Sequence, residues 1–254
     1  LPPDFSTAAA IDLNWIAEAQ QGVDHKYRIS ADLIDFSLSK KELQAFTNEK
    51  VEVQVDGLRN PTSGHMELNQ FNFVSSLLDF DAAGFWNNSS GNAAEFGFKG
   101  NLGMDLARIA ALVRTFSEID LEMAGKSARP FELKGSLTPE QRQQWWRHTD
   151  FNGSFQAELI RVLGVELSSL EIPVTVTDGL AVAELQGRVN QGGLLLRPHV
   201  DLRSEPPVLT IPDNSLVLDR MQITRDMANQ LLARIHPLFM GASQMSGTVD
   251  LNLE

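Results

Sequence analysis

A chain of 254 residues that is 43% apolar can build one large domain or two small ones, and it is too apolar to stay disordered. Its formal charge of −12 excludes nucleic acid as a partner, because phosphate binding runs on Lys and Arg, and it disfavours flat adsorption to an anionic membrane. The absence of cysteine excludes disulfides and thiolate metal sites.

The opening residues, LPPDFSTAAA, lack a basic region followed by an apolar core, so they are not an intact signal peptide. The last residues, SGTVDLNLE, alternate like a strand. Both ends therefore read as those of a segment from a longer chain. Asn14–Gln21 and Lys40–Asn48 are weak helix candidates. Val51–Val55 alternates cleanly and stops at the turn pair Asp56-Gly57. From His65 to Asp81 the apolar residues Met66, Leu68, Phe71, Phe73, Leu78 and Phe80 continue the strand signal, with a phase slip in Val74–Leu77 that predicts a bulge or bend. A polar loop over Trp86–Asn92 follows.

The stretch GFKGNLGMDLARIAALV, residues 97–113, changes period halfway. Phe96, Phe98, Leu102, Met104 and Leu106 alternate, whereas Leu106, Ile109, Ala110, Leu112 and Val113 fall at helical spacing. A strand should pass directly into a short helix at Asp105, whose carboxylate suits the positive helix N-terminus. Further strands are predicted at Ile119–Ala124, Pro130–Leu137, Phe151–Leu159, Leu167–Thr177, Leu180–Val189, Leu194–Leu202 and Leu216–Ile223. Thr138-Pro-Glu-Gln141 carries a capping box for a helix ending by His148. Thr224 can cap a helix over Arg225–His236, stopped by Pro237. Many strands on short turns predict a mainly β fold built on an antiparallel sheet.

Phe98-Lys-Gly100 with Asp105-Leu106 and Arg108-Ile109 matches Phe151-Asn-Gly153 with Glu158-Leu159 and Arg161-Val162 at an offset of 53, and Met245-Ser-Gly247 with Leu251 is a partial echo. The match suggests repeat units near 94–150 and 151–254, and a second strand-to-helix hinge after Phe151. The Gly within each strand phase removes a side chain, so that the sheet can bend or a bulky neighbour can cross.

Enzyme signatures are absent from the sequence: it has no G-x-S-x-G, P-loop, H-E-x-x-H or strand-following G-x-G-x-x-G. The five histidines are scattered, and His65-Met-Glu67 reads as an exposed strand pair rather than two metal ligands. Asp79 and Asp81 share a strand face without calcium-loop spacing. Together with Trp86, Trp145 and Trp146 they leave a carbohydrate-binding reading open. No catalytic residue, metal or cofactor is expected. The excess of apolar strand positions leaves two architectures, a closed sandwich that buries them and serves as a scaffold or adhesion module, or an open trough filled by a hydrophobic ligand.

Ser76-Leu-Leu-Asp-Phe-Asp-Ala-Ala-Gly84, Phe98-Lys-Gly100 and Asp105–Leu112, with Ile211-Pro-Asp, Gln222–Met227 and Ser246–Leu251, resemble the AsmA-like superfamily, which includes TamB-type β-groove proteins of bacterial envelopes. The resemblance covers residues 65–254, with 1–64 read as a strand and helix region continuous with the same sheet. It implies an elongated, curled antiparallel sheet forming a groove or half-open barrel, with short helices at the turns. It also implies lipid binding or transport, or help in outer-membrane assembly, in the periplasm. The chain would then be part of a longer membrane-anchored protein, with phospholipid and envelope proteins as partners. Groove-lining positions follow from phase: Phe96, Phe98, Leu102 and Met104 in one unit, Phe151 and Phe155 in the other, with Leu194 and Leu196 on a further apolar strand.

Overall fold

The computed structural model describes residues 5–19, 23–40, 43–88, 93–117, 119–212, 215–235 and 247–253. With 68% of residues in strand and 14% in helix, the fold is mainly β, as the alternation predicts. Among the described residues, seventeen strands form one mostly antiparallel sheet that does not close into a barrel. They are β1 (Phe5–Glu18), β2 (His25–Lys40), β3 (Leu43–Arg59), β4 (His65–Val74), β5 (Leu78–Asn87), β6 (Ala94–Asp105), β7 (Leu121–Ala124), β8 (Lys126–Leu137) and β9 (Thr149–Val162). The rest are β10 (Val165–Thr177), β11 (Leu180–Ala183), β12 (Leu185–Val189), β13 (Gly192–Leu196), β14 (His199–Asp201), β15 (Val208–Thr210), β16 (Ser215–Ile223) and β17 (Gly247–Leu253). The chain divides into two compact units, one of residues 1–104, 128–153 and 175–180, the other of 105–127, 154–174 and 181–254. The sequence boundary at 64/65 falls inside the first unit, between the paired strands β3 and β4.

The first unit is a run of antiparallel hairpins, β1 against β2, β2 against β3, and so on to β6. Two of the segments that read as weak helices belong to this ladder. Asn14–Glu18 lies in β1 and Leu43–Asn48 in β3, while Gln20, Gln21, Lys41 and Glu42 lie outside the described residues. Helical periodicity is short in both segments, and pairing with β2, though its register with β3 shifts between Leu38 and Lys40, overrides so weak a preference. The slip at Val74–Leu77 is the bend that joins β4 to β5, one of the two readings its phase allows. Ser75 accepts from the Leu77 and Leu78 amides at 3.3 and 3.1 Å and donates to the Leu78 carbonyl at 2.9 Å. The bulges of this region sit instead between Asp56 and Gly57 and between Leu68 and Phe71.

The second unit holds α1 (Leu106–Phe116), which starts where the period changes. Asp105 is its N-cap, its Oδ1 accepting from the Arg108 amide at 3.1 Å, and Leu106 and Ala110 are buried beneath it. The matched segment after Phe151 does not repeat this hinge. Leu159, Arg161 and Val162 continue in β9 and pair with Ala124, Glu122 and Leu121 of β7. Glu158, at the position equivalent to Asp105, lies mid-strand, with Gly125 so close that a Cβ there would come within 2.9 Å of its Cγ. Arg161 is held in the strand by Glu122 and Glu166 at 3.1 and 2.8 Å. The two segments thus share a sequence pattern but not a structure. In the third echo, Met245 and Ser246 lie outside the described residues and Gly247–Leu251 is strand. Asp105→Ala is expected to cost about 0.5–2 kcal/mol, and Glu158→Ala within about 0.5 kcal/mol, in thermal unfolding followed by circular dichroism.

The capping box at Thr138 forms as predicted, but it starts a 3₁₀ helix, Pro139–Arg147, closed at His148. The C-terminal helical run begins at the Thr224 cap and comprises Arg225–Met227, a π-helical Ala228–Leu232 and Ala233–Ile235. The stop at Pro237 lies outside the described residues. Met227 in this run packs with Val189 and Met221 as a core, flanked by Val165, Leu167, Leu194, Leu218, Leu231, Leu232 and Val249. The predicted strand Leu180–Val189 is divided at Glu184, whose amide donates to the Pro173 carbonyl, and Leu194–Leu202 breaks at Arg197-Pro198.

Candidate functional site

Cross-strand register in the first unit aligns apolar residues from six consecutive strands in one row. Leu13 pairs with Ala31, Ala31 with Val53, Val53 with Phe73, Phe73 with Phe80 and Phe80 with Leu102. The adjacent row runs Trp15, Ile29, Val55, Phe71, Ala82 and Gly100. Successive side chains alternate across a strand, so both rows lie on one face. At about 4.8 Å per strand the rows extend about 24 Å across the ladder.

The opposite face is polar in the same register. Its central row reads Asn14, Ser30, Gln54, Asn72, Asp81 and Asn101. Asn101 donates to both Asp81 carboxylate oxygens at 3.2 Å, and Arg28 meets Asp56 at 3.0 Å. Hydrogen bonds from Asn69 and then Arg28 hold the Asp56 carboxyl below the ordinary carboxylate range. Two hollows of about 470 and 300 Å³ lie among residues such as Arg28, Gln54 and Asp56, and Glu132, Lys134 and Asp150. Both are shallow and water-facing. Among the described residues no group of three His, Asp or Glu is placed to hold a metal.

Aromatic rings thicken the apolar face. Phe80 stacks on Phe131 of β8 at 5.1 Å and meets Phe71 edge-on at 5.5 Å, while Trp86 stacks on Phe96 at 5.4 Å with Phe98 beyond it at 6.1 Å. These rings cross the strand glycines. A Cβ on Gly84 would come within 2.6 Å of the Phe98 ring, one on Gly135 within 2.8 Å of Phe96, and one on Gly153 within 2.7 Å of Phe151. The glycines therefore let bulky neighbours lie flat across the sheet.

Burial along this face is graded. Val51, Ala82 and Phe96 are buried, whereas Ile11, Leu13 and Trp15 on β1 are 67%, 59% and 67% exposed. Most of the rest, including Phe71, Phe73, Phe80, Phe98, Leu102, Met104 and Phe131, are half-buried. The helix described in this unit, Pro139–Arg147, buries none of its own residues, so it does not seat on the face as a lid.

Of the positions chosen by phase, Phe96, Phe98, Leu102, Met104 and Phe151 lie in this unit, the first four on the apolar face through their pairing with Trp86, Gly84, Phe80 and Leu78. Phe155 lies half-buried in the second unit. So do Leu194, packed against the Val189–Met221–Met227 core, and Leu196, paired with Leu185. The residues that phase alone missed are Ile11, Leu13 and Trp15, Ile29, the Val51–Val55 set, Phe71, Phe73, Phe80 and Phe131. Their alternation is present in the sequence, but membership of one face depends on pairing. On β5, Trp86 lies on the apolar face and Asp79 and Asp81 on the polar one, so the strand does not bring these three together. No protein-family model matches the chain, and no curated protein or solved structure is significantly similar to it.

Proposed function

We propose that the chain is a non-enzymatic envelope domain that binds lipid, or conducts it, along the apolar face of its first unit, as part of a longer membrane-anchored protein of AsmA-like type. The observation that supports this reading is the in-register apolar wall across β1–β6, left between half and two-thirds exposed at Ile11, Leu13 and Trp15. A single exposed leucine needs no ligand, but a contiguous wall of this width marks a binding surface. Each methylene laid on it gains about 0.8 kcal/mol, so about ten would supply about 8 kcal/mol before association costs are subtracted. No ionised group interrupts the two rows, so an acyl chain would meet no desolvated charge there.

Organic extraction of protein purified without detergent, followed by mass spectrometry, should recover acyl lipid, and the delipidated protein should take up a fluorescent fatty acid saturably. Protein that is lipid-free and does not bind the probe would sink the proposal. Phe98→Ala separates an open wall from a closed sandwich. A fully enclosed Phe costs about 3–5 kcal/mol when truncated. Here the loss should be nearer about 1–2 kcal/mol, with weaker uptake of the probe.

A further inference from the structure

The 3₁₀ helix Pro139–Arg147 carries a feature that lipid binding on the sheet face does not use. Trp145 and Trp146 are adjacent, 47% and 44% exposed, and meet edge to face at 6.4 Å. Their exposure is not that of an untethered loop. The helix is fixed at its start by the reciprocal Thr138–Gln141 cap, with the Thr138 amide donating to Gln141 Oε1 at 2.9 Å. It is fixed at its end by the Trp145 carbonyl, which accepts from the His148 amide at 3.0 Å and from the hydroxyl of the buried Thr149 on β9 at 2.7 Å. Gln144 is non-helical and kinks the segment just before them, so the bonds to His148 and Thr149 are what tether the two rings, each about half in water.

The charge around them departs from that of the chain. Arg147 donates to Gln144 Oε1 at 3.0 Å with its Nε buried, so within the helix Arg142, which is exposed, is the cation presented to solvent in a protein of −12. Glu140 sits in the first turn, away from the tryptophans. The Arg142 guanidinium donates to the neutral Asn88 side-chain oxygen at 2.9 Å, which orients it without neutralising it. Tryptophan favours the level between headgroups and acyl chains, where its ring is buried and its N–H stays wet, and guanidinium matches phosphate.

We propose that Pro139–Arg147 is an interfacial anchor that docks this domain on an anionic bilayer, with Trp145 and Trp146 entering the headgroup boundary and Arg142 facing lipid phosphate. Two tryptophans beside one exposed guanidinium do this despite the acidic remainder, because charges beyond about 8 Å are screened at physiological salt. The inference goes beyond lipid carriage on the sheet face and does not depend on it.

The test is flotation of the full chain with vesicles of phosphatidylcholine alone or mixed with phosphatidylglycerol. Wild-type protein should float with the mixed vesicles and less with the neutral ones, and added salt should release it. Trp145→Ala with Trp146→Ala should cut partition roughly tenfold or more. Arg142→Gln should remove the preference for the anionic vesicles. The same double variant should keep its melting temperature and the acyl lipid extracted from it, and Trp145→Phe with Trp146→Phe should retain part of the binding. No flotation of wild type, unchanged partition of the double variant, loss of partition in Trp15→Ala instead, or release by a soluble oligosaccharide would each overturn the anchor. None of these outcomes alters the extraction result, so the anchor and the lipid-carrying face fail separately.

Discussion

Leu13→Glu combined with Trp15→Ser should abolish most uptake of a fluorescent fatty acid while leaving the unfolding midpoint nearly unchanged. Both side chains are more than half exposed on β1, so their removal leaves little core behind, and surface changes of this kind fall within about 0.5 kcal/mol each. The effect on the ligand is of another order. A carboxylate placed in the Leu13–Ala31–Val53–Phe73–Phe80–Leu102 row would have to shed its water against the acyl chain, at several kcal/mol without a partner. Equilibrium binding and chemical unfolding on the same preparation check both halves. Unchanged uptake would remove this face from the lipid reading, and a large drop in stability would show that the β1 end is enclosed.

The second large effect belongs to the second unit and concerns Asn190. This residue is 4% exposed and adopts φ +43°, a conformation that Asn tolerates and other side chains resist. Its Oδ1 accepts from the Glu166 amide at 2.8 Å and its Nδ2 donates to Met227 Sδ at 3.4 Å. Its own amide donates to the Glu166 carbonyl at 2.8 Å, and its carbonyl accepts from Gln222 at 3.1 Å. One residue therefore ties β10, β16 and the C-terminal helical run together. Asn190→Gly keeps the backbone conformation and loses the side-chain bonds, for about 1–3 kcal/mol. Asn190→Ala adds the left-handed cost and should be worse by about another 1 kcal/mol. Urea unfolding of the two variants measures the difference, and equal midpoints would mean that the positive φ stores no strain.

These two regions show how unevenly the sequence reports on structure. The cap at Asp105 and the box at Thr138–Gln141 are local, since a donor and acceptor three residues apart find each other whatever the rest of the chain does. The match between Phe98–Ile109 and Phe151–Val162 is equally plain in the sequence, yet one segment turns helical and the other stays in β9. The decision falls to a strand partner, β7, which holds Leu159–Val162 in register. Asn14–Glu18 is extended for the same reason.

By itself the amino-acid sequence determined the class of this protein. Period-2 alternation imposes a two-faced sheet, the acidic composition argues against nucleic acid, and Thr and Asp before short helices place their starts. It also marked Phe96, Phe98, Leu102 and Met104 as one face of one strand, because that periodicity is a property of a single strand. What only the tertiary structure decided was which strands share that face. Trp15 and Phe80 lie on one wall, whereas Leu194 enters a core under the helical run. Those assignments rest on register between segments tens of residues apart. One residue of slip would send every side chain of a strand to the other side.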